Sequence, residues 1–112
     1  MAEYINLEDG IGRVMGNRKL YRRMLKLFLE AKEPAELENA IAEGNSTAAG
    51  EAAHAIKGMT GNLGMRPLFD LSSRLTEECR NGTADPDTVA AFQEALRGTR
   101  EEAAAAAEEL ED

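Results

Sequence analysis

Tryptophan is absent, cysteine occurs once, and aromatic residues make up only 4% of the chain. A single thiol, Cys79, cannot close an internal disulfide, so packing alone has to hold the fold, as in proteins of a reducing compartment. Scarce aromatic and β-branched residues leave little material for strands. No segment alternates with period two, so none is expected. No apolar run approaches the ~18 residues of a membrane helix. The opening MAEYINLEDG lacks a basic-then-apolar leader. Both absences lead us to expect a cytoplasmic chain without membrane contact. The initial methionine favours a free-standing protein over a module.

Positive charge is also in deficit. A formal net charge of −8 excludes ordinary nucleic-acid binders, whose affinity comes from cations on phosphates. The balance is uneven along the chain. Arg13, Arg18, Lys19, Arg22, Arg23 and Lys26 form a basic stretch, whereas residues 101–112 carry six acids and no base. Such clusters are usually solvated helix faces, but a basic one can also dock an acidic partner. Histidine occurs once, at position 54. One histidine and one cysteine do not make a metal-ligand cluster, and no carboxylates follow a calcium-loop pattern. Ser46, Ser72 and Ser73 have no nucleophile elbow around them, and no glycine-rich phosphate loop is present. We therefore expect neither a metal nor a cofactor on this chain.

What remains is dominated by helix formers. At 112 residues the chain is one domain's worth, spanning 1–112. Asn6 can cap a first helix over about 7–15, with Gly16 ending it and Asn17 capping a second to about Lys32. Tyr21, Met24, Leu25 and Phe28 supply the second helix's apolar face, with Leu20 and Leu27 alongside. Pro34 suits the first turn of a third helix, carrying Leu37, Ala40 and Ile41 and stopped at Gly44. Ser46 or Thr47 can cap a fourth, to about Leu63. Pro67 opens a fifth, with Leu68, Leu71, Leu75 and Cys79 inward and a stop at Asn81-Gly82. Asp85 and Pro86 begin a sixth, with Val89, Phe92, Leu96 and later alanines as its stripe, ending near Leu110. Six amphipathic helices with short loops predict an all-α antiparallel four-helix bundle with one or two additional short helices.

The fourth helix is the informative one. At about 100° per residue, Ala49, Ala52, Ile56, Met59 and Leu63 form a core stripe, and His54 points the opposite way. Thr47, Gly50, Gly58 and Gly61 lie within about 40° of His54. Each interior glycine costs about 1 kcal/mol relative to alanine, so stability alone does not account for them. Helical side chains lean toward the N-terminus. A side chain at 58 would cover His54, and glycine at 50 leaves room beneath its ring. Lys57 leans the same way and can place its ammonium at the ring's edge. A bare imidazole beside a cation suits phosphoryl transfer, which needs a nucleophile, positioning and charge neutralisation. Against this stands the ordinary fate of a lone exposed histidine, which is to do nothing.

Ala53-His54-Ala55-Ile56-Lys57-Gly58 followed by Asn62-Leu63-Gly64 resembles the signature of histidine phosphotransfer (HPt) domains of multistep two-component phosphorelays. The core motif spans 46–64. Residues 11–28 and 75–82 are similar to the flanking segments, although aspartate is frequent in the family where Asn17 stands. Residues 84–112 match mainly in length and helicity. The resemblance implies that His54 is phosphorylated on Nε2, Lys57 supports the phosphoryl group and Gly58 keeps access open. The partners implied are response-regulator receiver domains and a hybrid sensor histidine kinase. Magnesium would sit on the receiver only, and the domain would carry phosphate without kinase activity of its own.

Two other readings compete. The phosphoacceptor helices of a histidine kinase would usually place an acid directly after the histidine, where this chain has Ala55. A non-catalytic interaction or dimerisation bundle needs only amphipathic helices and leaves the glycines near His54 unexplained. For docking, the sequence offers the His54 face together with apolar residues of the first two helices, and Met65.

Overall fold

The computed structural model describes residues 4–111. They form six helices and, among the described residues, no strand: α1 (Leu7–Arg13), α2 (Arg18–Glu30), α3 (Glu33–Ala42), α4 (Ser46–Gly61), α5 (Arg66–Arg80) and α6 (Pro86–Glu109). Asp112, counted in the acidic tail, lies outside the described residues. Short polar side chains set the helix starts by accepting otherwise unpaired amide protons. Asn6 accepts from Asp9 N–H at 3.0 Å, Asn17 from Leu20 at 3.0 Å and Asp85 from Asp87 at 2.8 Å. These are the caps read from the sequence. The start of α4 is a correction. Asn45 is its cap, accepting from Ala48 N–H at 3.0 Å. The Ser46 hydroxyl instead donates to the Gly82 carbonyl, tying the start of α4 to the end of α5.

The short turns fold each helix back along its neighbour. α4 lies between α3 and α5, α6 between α5 and α2, and α1 against α2. The result is the expected all-helical bundle, 45 × 23 × 20 Å in extent. The longest helix, α6, has 24 residues and at 1.5 Å per residue is about 36 Å long. Tyr21, Leu25, Phe28, Leu37, Ile56, Leu68, Leu75 and Phe92 fill the interior. Each such side chain withdrawn from water contributes about 1.5–3 kcal/mol. On α4, Ala49, Ala52, Ala53 and Ile56 are buried and Met59 is half-buried. The small alanines let α3 and α5 approach closely. Cys79 is buried in α5. Burial, and secondarily the neighbouring Glu78 charge, push its thiol pKa up.

Arg22 joins the basic stretch to the acidic tail. Arg22 Nε donates to the Ala107 carbonyl at 2.7 Å and its other nitrogen pairs with Glu111 at 3.3 Å. Arg18, Lys19, Arg23 and Lys26 are exposed and make no ion pair among the described residues.

A clamp fixes α1 over the α4–α5 turn, beside the face that carries His54. Asn6 N–H donates to the Gly64 carbonyl at 2.8 Å. Gly64 has φ +75, and a Cβ there would collide with the Asn6 carbonyl. Behind it the buried Tyr21 hydroxyl donates to the Leu63 carbonyl at 2.6 Å. Burial, and secondarily the Asp9 charge, push the Tyr21 pKa up from 10.0 to about 12. The folded state therefore favours the protonated phenol. This stabilisation is complete below the unfolded value near 10 and is lost as pH rises from there through about 12. We predict that unfolding free energy falls with pH above about 10 by up to about 1.4 kcal/mol per unit. Tyr21→Phe should lack that slope and cost about 1–2 kcal/mol at neutral pH, because the Leu63 carbonyl loses its donor. Urea unfolding followed from neutral pH to about pH 11 checks both parts; equal slopes in the two proteins would contradict the assignment.

Candidate functional site

His54 sits on the outward face of α4 and is exposed, one residue after the fully buried Ala53. Its side chain makes no hydrogen bond among the described residues, so nothing in the fold occupies the ring nitrogens. Two grooves run past it. The larger, about 680 Å3, is bounded by Asn6, Asp9 and Arg13 from the α1 side, by Lys57, Gly58 and Gly61 of α4, and by Arg66 and Phe69 of α5. The second is lined by Thr47, Gly50 and Glu51 of α4 and by Thr76, Cys79 and Arg80 of α5. His54 is the residue common to both. The imidazole therefore stands on a ridge that a second macromolecule can reach from either side.

The larger groove is rich in cations. Arg13, Lys57 and Arg66 line it, with Asp9 the acid among its lining residues. Arg13 pairs with Asp9 at 3.1 Å and Arg66 with Asp70 at 3.0 Å. Both pairs are largely exposed, where such bridges stabilise little. They nevertheless commit these carboxylates to arginines. Lys57 has no carboxylate partner among the described residues and its ammonium lies 6.0 Å from the centre of the Phe69 ring.

The three glycines near His54 separate into two kinds. At Gly58 a Cβ would meet nothing within 4 Å. It is exposed and its openness is not needed for packing. At Gly50 a Cβ would lie 3.3 Å from Cys79 Cβ, and at Gly61 it would lie 3.1 Å from the Phe69 ring. Those two glycines admit side chains of α5, so packing explains them. Gly50, expected to leave room beneath the imidazole, lines the second groove with His54 and has this packing role as well.

Lys57 and His54 line the larger groove together, with the Phe69 ring beside the ammonium. One further expectation changes. Met65 is fully buried and offers no exposed docking surface, although Met15 in the α1–α2 turn is 95% exposed and Leu20 and Leu27 are 37% and 61% exposed. Sequence reasoning missed Phe69, Arg13 and Arg66 as groove residues. Phe69 carried one signal: an aromatic beside, rather than on, the buried Leu68–Leu75–Cys79 stripe.

Fold and site together define a class of protein: a small helical bundle that displays a single histidine on an open helix face. Residues 23–106 match the family model described as the Hpt domain, and the chain belongs to that family. Domains of this family are phosphocarriers in phosphorelays, generally without kinase activity, and their partners are receiver domains. Comparison with curated proteins and with solved structures gave no match. Among the described residues no helix is long and apolar enough to cross a membrane. No group of ligating side chains there could hold a metal ion.

Proposed function

We propose that His54 is the phosphorylated residue of a single functional unit covering 1–112, taking a phosphoryl group from a receiver-domain aspartate and passing it to another. The observation that supports this most is the imidazole's place on the ridge between two grooves, exposed and without an intramolecular partner. With its proton on Nδ1, the ring attacks the acyl phosphate through the Nε2 lone pair. The N–P bond forms as the P–O bond to the aspartyl carboxyl breaks. The aspartate leaves as carboxylate, and the phosphorylated ring carries the positive charge until Nδ1 releases its proton or the reverse transfer occurs. Magnesium belongs to the receiver, and this chain supplies the nucleophile, the open approach and the Lys57 charge. The donor is the receiver of a hybrid sensor histidine kinase, and the exchange takes place in the cytoplasm.

Lys57 is assigned to the phosphoryl oxygens. A hydrogen bond assisted by full charge is worth about 1.5–3 kcal/mol. Lys57→Ala should therefore slow transfer about tenfold, or about 1.4 kcal/mol, without stopping it. Rapid mixing with a phosphorylated receiver, read in both directions, measures this. Unchanged rates in both directions would remove the lysine from the mechanism.

A further inference from the structure

We infer that Phe69 is a positioning residue for Lys57: its ring holds the ammonium in the groove until the phosphoryl group on His54 takes it over. The inference rests on the assignment of His54 and Lys57 above.

Three observations carry it. The Lys57 ammonium lies 6.0 Å from the Phe69 ring centre, at the outer edge of a cation–π contact. The acid that lines this groove, Asp9, and the one that follows Phe69 in α5, Asp70, are bound to Arg13 and Arg66. Finally, the ring is placed low against α4 because residue 61 is glycine, whose missing Cβ would lie 3.1 and 3.2 Å from ring carbons Cε1 and Cδ1. Gly61 stands one turn beyond Lys57 on the same helix, so the ring lies within the lysine's reach.

The strength of the contact matters. A carboxylate partner would hold the ammonium too firmly and add negative charge where a phosphoryl group must arrive. Water alone would leave four rotatable bonds to be ordered at each transfer. An aromatic face gives a weak, uncharged hold that a dianion readily outcompetes. Phe69 is half-buried and lies off the buried stripe of α5.

The test uses the whole chain with a phosphorylated receiver, supplemented by NMR of the unphosphorylated protein. Ring current should shift the Lys57 ε-methylene protons upfield, and Phe69→Leu should return them. Phe69→Leu should slow phosphoryl acceptance about two- to fivefold, and Phe69→Tyr should restore it. On a Lys57→Ala background, Phe69→Leu should have no further effect. Equal slowing on both backgrounds would mean that Phe69 acts through packing, and no slowing where Lys57→Ala does slow would leave it without a role. Either result overturns the inference and leaves the assignment of His54 standing. Label retained by His54→Gln would overturn that assignment and the inference with it.

Discussion

His54→Gln is expected to fold as the wild type does and to accept no phosphoryl label. The ring is exposed, touches no hydrogen-bonding partner among the described residues and contributes nothing to the core. Substitution at such a surface position changes stability by about ±0.5 kcal/mol. Glutamine keeps the polarity and approximate reach while removing the nucleophilic nitrogen. No other imidazole exists in the chain to substitute for it. The buried Cys79, its thiol pKa raised by burial and by Glu78, is a poor replacement. Thermal unfolding and label incorporation from a phosphorylated receiver decide the matter. A variant that unfolds would make the histidine structural, and one that still takes label would move the phosphorylated site elsewhere.

Gly58→Leu should separate stability from activity in opposite directions. Nothing lies within 4 Å of the Cβ position, so the fold can accept the side chain. Replacing an exposed helical glycine should stabilise by about 0.8 kcal/mol, a rise of a few degrees in melting temperature. The leucine would lean back one turn, over His54. Phosphoryl acceptance should fall at least about tenfold, since misplacement of reacting groups by about 1 Å already costs that much or more. Calorimetry and transfer rates on the same sample test both halves. A stabilised variant with wild-type transfer would show that open space above the ring is not required. Alanine substitution at Gly50 or Gly61 should behave differently, because there the new methyl meets Cys79 or Phe69.

Those glycines also mark how far the sequence could be read. The helices and most of their caps follow from local signals: Asn6, Asn17 and Asp85 each bond an amide two or three residues ahead. At α4, Asn45, Ser46 and Thr47 are three adjacent capping types. Only the Gly82 carbonyl, far away in sequence, decides that Ser46 is used otherwise. The outward direction of His54 is a property of one helix and its period, so it was legible. The glycines around it looked alike on that helix. The difference between them lies on α5, which brings Cys79 against Gly50 and Phe69 against Gly61. Lys57 was placed by its backbone lean, whereas the ring 6.0 Å from its ammonium is supplied by another helix. The contact of Tyr21 with Leu63 and the seating of Tyr4 on Gly98 are likewise tertiary, with no local signature.

Phosphorus–proton correlation NMR on the chain after exposure to a phosphorylated receiver tests the central claim most directly. We predict one new phosphorus signal coupled to the ring protons of the sole imidazole through Nε2, stable in alkali and lost in acid. A signal coupled to any other side chain, or none while the donor receiver loses its phosphate only to water, would contradict the account.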